Sequence, residues 1–186
     1  LPYLHGALGF SAYSNPLSQL SPAITLIQEV LVPLRHQLWR SLHEMMDLCA
    51  EAVPLALHEK PRPKKEMQLR ITPEVERSIF WRQSLRSAMD ESVDIMEDLL
   101  QSLLRLHEML AKIPEERRKD LDAPIGEVKA IASKIAERIN AFRNFYTIGD
   151  GQCRWIEVYK SSEAYQASVR LISLPLEVQN ALHEAV

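Results

Sequence analysis

The chain has 186 residues, a formal net charge of −3, 46% apolar residues and 25% charged residues. That balance excludes wholesale disorder and a chain that is basic throughout, and the length suffices to bury a core without staples. Eleven prolines against five glycines argue for long elements punctuated by proline rather than a many-turned β fold, and no Walker-type or dinucleotide-type glycine loop is present.

Residues 1–17 carry Pro2, Gly6, Gly9, Asn15 and Pro16 among the aromatics Tyr3, Phe10 and Tyr13, the mixture of a loop or short helical turn. A long helix is expected over 22–53. Ser21 is its N-cap, Pro22 its first residue, and Ile24, Ile27, Leu31, Leu34, Leu38, Leu42, Met45, Cys49 and Ala52 form its apolar face. Pro33 interrupts it, which predicts a kink or two abutting helices, and Pro54 is the expected stop. Residues 58–71 read as a linker in which Met67, Leu69 and Ile71 alternate with polar residues, a pattern that permits a short extended stretch. Thr72 and Pro73 open the clearest helical pattern, 73–113. Its stripe is Met89, Val93, Met96, Leu100, Leu103, His107 and Leu110, widened by Leu99, Leu106 and Ile113. Unbroken, this helix would be about 60 Å long at ~1.5 Å per residue.

After a charged turn at 115–123, a further helix opens at Pro124 with Ile125, Val128, Ile131, Ile135, Ile139, Phe142 and Phe145 on one face. The period then changes to two. Gly149-Asp150-Gly151 is a turn, and Cys153 to Tyr159 alternate as a strand. Ser161 to Ala164 are the expected hairpin loop and Tyr165 to Ile172 the return strand. Pro175 is placed to open a last helix. The expected fold class is mainly α: a bundle of three long helices, followed by a β-hairpin and a terminal helix. Its division is expected near residue 150, with a helical region over 1–150 and the hairpin and helix start over 151–186.

Chemistry-bearing residues are sparse. Cys49 and Cys153 stand far apart with no Cys-x-x-Cys or Cys/His cluster, so two reduced thiols are expected, which suits a cytoplasmic chain. No apolar run approaches the ~20 residues that span a bilayer, and the start lacks the basic segment of a secretory signal. The six histidines are dispersed, His36 and His43 are too far apart for one metal, and His107 reads as a half-buried helix residue. Neither a nucleophile elbow nor a zinc-protease helix is present. Neither catalytic residues nor cofactor or metal ligands are expected.

Charge is distributed unevenly. Lys60 to Arg86 hold eight basic and three acidic residues, whereas Ser87 to Glu116 hold eight acidic and two basic ones. Within the basic stretch, Lys64, Lys65, Arg82 and Arg86 are the candidate contacts to a nucleic-acid backbone, with Phe80 and Trp81 beside the arginines. The same segregation also suits helix–helix complementarity, with Trp81 in the core.

The tail carries a more specific pattern: Arg154-Trp155-Ile156-Glu157, a hairpin, then Leu174-Pro175-Leu176-Glu177-Val178 and Leu182. It resembles DinG-like helicases, bacterial relatives of the XPD-like superfamily 2 enzymes. In that family a strand with a Trp-x-Glu pattern follows a long helical insertion, the arch, and precedes motif III. The match covers about residues 153–182; Glu177 stands where the family often has Asp. The resemblance implies that this chain is the arch region with its return strands, cut from an ATP-dependent DNA helicase active in DNA repair. No catalytic position is carried over, and Trp155 and Pro175 have structural roles. Single-stranded DNA and the parent's motor domains are then the partners, ATP and Mg2+ belong to the parent, and a monomer without membrane contact is expected. A start at Leu1 and a helix-like tail at 178–186 agree with an excised segment. The alternative is a stand-alone helical module that pairs its 89–110 stripe with a partner helix.

Overall fold

The computed structural model describes residues 17–59, 66–114, 118, 121–147, 152–159 and 167–175. Their fold is mainly α, with long helices and one three-stranded antiparallel sheet. In order, the elements are α1 (Leu17–Leu26), a π turn (Ile27–Leu31), α2 (Val32–Ala56), β1 (Glu66–Arg70), α3 (Pro73–Arg77), a second π turn (Phe80–Leu85), α4 (Arg86–Ala111), α5 (Asp122–Tyr146), β2 (Gln152–Tyr159) and β3 (Ser168–Pro175).

Two compact units divide the chain. One takes Leu1–Trp39 with Asp94–Ile139, the other Arg40–Val93 with Asn140–Val186. This differs from the single division expected near residue 150. The physical reason is the sheet: β1, from the segment read as a linker, hydrogen-bonds to β2 and joins the hairpin to residues of the middle of the chain.

In the first unit, Ala23, Leu26, Ile27 and Leu31 share a core with Leu99, Leu103, Leu106, Leu110, Leu121, Val128 and Ala132. Each fully buried leucine contributes about 1.5–3 kcal/mol of transfer free energy. Helix α1 begins upstream of Ser21, so Pro22 lies inside it rather than at its start. The backbone bond missing at Pro22 is one from the second turn, close to an end that leaves several donors unpaired anyway. Pro33 does not divide two abutting helices: the helical run continues through it. Just before it, the Val32 N–H donates to the Ile27 carbonyl five residues back. That wider turn accommodates the proline ring near the carbonyl of Glu29. Ala23 and Leu26 are buried, while Ile24, Leu34 and Leu38 only flank the core. On α4, Leu99 and Leu106 are buried, whereas Leu100 and His107 lie half-buried beside them. The buried set keeps a seven-residue repeat, Met89, Met96, Leu103 and Leu110 with Ser92, Leu99 and Leu106, so the buried face is centred about one position N-terminal of the expected stripe.

The second unit is built on the sheet. Its order is β1-β2-β3, with β2 central. Met67 faces Val158, and Leu69 faces Ile156; on the other side Ile156 pairs with Leu171 and Val158 with Val169. These residues form the inner face. They pack with Met45, Cys49 and Val53 of α2, with Trp81, Leu85 and Met89, and with Phe145. Met45, Cys49 and Val53 repeat every four residues, as do Trp81, Leu85 and Met89, so each trio forms one helix stripe. Ser41 and Ser92 meet at 2.7 Å in this unit, and Ser92 donates to the Ala88 carbonyl at 2.8 Å. Both hydroxyls are buried with their hydrogen bonds made.

Helix α2 runs past Pro54 to Ala56. It ends where His58 adopts φ 53°, with His58 N–H bonded to Leu55 O and Glu59 N–H to Pro54 O. This paired pattern is a Schellman cap, whose left-handed residue is usually glycine. The helix expected over 73–113 is interrupted: Ser78 has ψ 153° and closes α3 after five residues. Its hydroxyl donates to Val75 O at 2.6 Å and accepts from Trp81 N–H at 3.2 Å. Ser78 thus caps one helix end and starts the next, the local competition with helix that serine supplies. Thr72 caps α3 as expected, accepting from Val75 N–H. The expectations for residues 1–16, the hairpin loop at 161–164 and a helix after Pro175 lie outside the described residues; Pro175 itself ends β3.

Candidate functional site

The interruption at Ser78 builds a cleft. It sets Arg77 at the end of α3 and lets the chain restart so that Arg82 and Arg86 follow one turn apart. Pro73, Glu76, Arg77, Trp81, Arg82, Arg86 and Tyr146 line an open cleft of about 610 Å3 within the second unit.

Its charge is positive. Arg77 bonds Glu74 at 3.3 Å and the Pro73 carbonyl at 3.1 Å. Arg86 lies 3.7 Å from Asp90 and 4.7 Å from the centre of the Tyr146 ring, a cation–π arrangement. Arg82 is exposed and makes no ion pair with any described residue. Glu76 does not offset these cations, because its carboxylate is bound by Arg154, whose side chain is 8% exposed. Arg154 also donates to the Phe145 carbonyl at 2.8 Å and lies 6.0 Å from the Trp81 ring centre. The acid of the cleft is therefore neutralised from beneath, and the guanidiniums face solvent.

Local electrostatics follow the same layout. The hydrogen bond from Thr72 holds the Glu74 carboxyl below its ordinary range, with Arg77 adding to the effect. Burial pushes the Tyr146 phenol up and Asp90 adds to this, against the opposing Arg143 and Arg86. An open cleft of this kind offers the donors that charge-assisted hydrogen bonds to an anion use.

Of the residues that the sequence singles out, Arg82 and Arg86 line the cleft together. Lys64 and Lys65 lie outside the described residues. Trp81 is 4% exposed and tilted against Phe145 at 6.1 Å between ring centres. It is the floor of the cleft and not a free stacking platform. Four lining residues, Pro73, Glu76, Arg77 and Tyr146, had no place among the candidates. Arg77 is only five residues from Arg82 and could have been taken from the same basic stretch. Tyr146 comes from the far end of α5, and nothing local in the sequence connects it to Arg86.

The Trp-x-Glu pattern has a physical basis of its own. Trp155 and Glu157 lie two apart on β2, hence on one face of the sheet, opposite the core. Trp155 Nε1 donates to Glu157 Oε1 at 2.7 Å, Gln68 Nε2 donates to the same oxygen at 3.2 Å, and Arg170 approaches Oε2 at 3.8 Å. Glu157 ties the three strands together through side chains.

Among the described residues, no group of three or more His, Cys, Asp or Glu side chains is placed to hold a metal ion. Nor is any described helix long and apolar enough to cross a membrane. Compared with family models, with curated proteins and with solved structures, the chain matches none.

Proposed function

We propose that this chain is the non-catalytic arch-like region of a DinG-like DNA helicase, and that its arginine cleft holds the phosphate backbone of single-stranded DNA. The observation that carries the reading is the convergence of Arg77, Arg82 and Arg86 on one open cleft whose carboxylate is already paired. The Trp155-x-Glu157 and Leu174-Pro175 pattern supplies the family half of the reading. ATP and Mg2+ belong to the parent's motor domains, and the cleft contributes strand retention rather than chemistry. The reading also takes the chain to be monomeric and cytoplasmic.

The alternative, pairing of the 89–110 stripe with a partner helix, has little surface left to use. Met89, Val93, Met96, Leu103 and Leu110 of that stripe are already buried within the chain, and Leu100 and His107 are half-buried.

Fluorescence anisotropy with a labelled 15-mer of single-stranded DNA tests the proposal. If all three arginines neutralise phosphates, log affinity falls against log salt with a slope of about −2, roughly 20-fold between 50 and 200 mM salt. Charge reversal of Arg82 and Arg86 (R82E/R86E) should weaken binding at least about tenfold and flatten the slope to about −0.7, the share of Arg77 alone. Unchanged affinity and slope in that variant refute the cleft as the DNA contact.

A further inference from the structure

We infer that a groove in the first unit is the docking site of residues 1–16, the segment that precedes α1, and that this segment brings aromatic side chains to an aliphatic core. The inference stands apart from the arginine cleft. Two adjoining cavities of about 380 and 440 Å3 make the groove. Glu29 and Val30 line both, and both lie on the seam between the α1–α2 run and α4. Each wall repeats every four residues, with Pro22, Leu26, Val30 and Leu34 on one side and Gln101, Arg105 and Met109 on the other. Val30, Leu34 and Met109 pack on the core yet stay half-exposed, so a further apolar layer would remove them from water.

Three observations name the occupant. The first is position. Ser21 and Pro22 line one end of the groove, and α1 begins about one turn earlier, at Leu17. The preceding chain therefore arrives at that end, and Asn15-Pro16 is a turn signal there. The second is length. From Ser21 to Gln37 the groove runs about 24 Å at ~1.5 Å per helical residue. Sixteen residues cover that distance even as a helix, and about eight suffice when extended, at ~3.3 Å each. The third is composition. Residues 1–16 hold no Asp, Glu, Lys or Arg, in a chain that is 25% charged, and they carry Tyr3, Phe10 and Tyr13. Among the described residues, the core of the first unit and the side chains packed on it include no aromatic ring. A neutral, ring-bearing segment can cover aliphatic side chains without desolvating an ion of its own. Phe10 and Tyr13, closest to the turn, are the rings that reach Met109, at the same end of the groove as Pro22.

Methyl NMR on the purified 186-residue chain, 13C-labelled at methionine, tests this, with sedimentation equilibrium giving the mass of the same sample. Met109→Leu assigns the Met109 methyl. The expected result is cross-peaks from that methyl to aromatic ring protons in a monomer. Phe10→Ala/Tyr13→Ala should abolish them while the Met45 and Met67 methyls of the second unit keep their shifts. Ring deuteration of phenylalanine and tyrosine, which leaves the fold untouched, should remove the same cross-peaks. Absence of any aromatic cross-peak at Met109 overturns the inference and leaves the groove to a separate partner. Cross-peaks that survive ring deuteration or the double substitution overturn it in favour of another ring of the chain, and a dimeric mass overturns it in favour of a second copy.

Discussion

Arg154→Ala should destabilise the second unit by about 3–5 kcal/mol, the cost of breaking a buried charge pair by removing one partner. Three features of the structure set that magnitude. The Arg154 side chain is almost wholly enclosed, it binds the Glu76 carboxylate, and it donates to the Phe145 carbonyl at 2.8 Å. Truncation leaves a largely buried carboxylate without its cation and a carbonyl without its donor. Stranding the carbonyl alone costs about 1–3 kcal/mol, so the charge dominates. For a chain of this size about 2–4 °C of melting temperature corresponds to each kcal/mol, which predicts a fall of roughly 6–20 °C. Urea unfolding followed by circular dichroism on Arg154→Ala, Glu76→Ala and the double variant measures the pair directly. The double variant should recover at least about 2 kcal/mol relative to the sum of the singles, since it removes the stranded charge. A loss below about 1 kcal/mol in Arg154→Ala, or strict additivity, refutes the argument that this pair neutralises the cleft's acid from beneath.

Three other outcomes follow from local geometry and burial. Replacing His58 by glycine should stabilise the chain by about 0.5–1 kcal/mol, because a left-handed φ of 53° is costly for a residue with a Cβ and free for glycine; urea midpoints at constant slope check it, and a loss of stability would contradict the Schellman geometry. Burial pushes the Cys49 thiol up to about 12, so in the native chain at pH 8 a thiol reagent should modify half-buried Cys153 well before Cys49. The folded-state value lies above the ordinary 9.0. Its contribution to stability is therefore complete below pH 9 and is lost as the pH rises toward 12, at up to about 1.4 kcal/mol per unit. The difference between wild type and Cys49→Ala at pH 8 and pH 10.5 isolates this effect.

The W-x-E strand and the Thr72–Pro73 helix start were legible because each is a local pattern. Period two over Cys153 to Tyr159 is a property of successive residues, and a threonine before a proline is a cap whatever lies elsewhere. The long apolar stripes were legible as helices for the same reason. Their phase was less so. The π turns at Ile27–Leu31 and Phe80–Leu85 each widen the helix locally, and a proline or serine in the sequence does not say whether the helix will break or widen. Ser78 illustrates the limit: in an exposed helix it would be tolerated, but here its hydroxyl bridges Val75 and Trp81 and ends the helix.

The cleft shows the same division. The basic run and the Arg82–Arg86 spacing are sequence facts, sufficient to nominate those residues. The arrival of Tyr146 under Arg86 and the capture of Glu76 by Arg154 join residues 60 to 78 positions apart. Taken alone, the sequence determined a mainly α chain with a late hairpin, the Thr72–Pro73 helix start, and a charge pattern concentrated in one stretch, all carried by neighbours within a few residues. Tertiary structure decided the rest. Met67 faces Val158 across β1 and β2, 91 residues apart, and that pairing makes the linker a strand, moves the unit boundary and seats Arg154 beneath the cleft. Such contacts depend on which buried surfaces find one another, a choice made by the packing of the whole chain that no local period records.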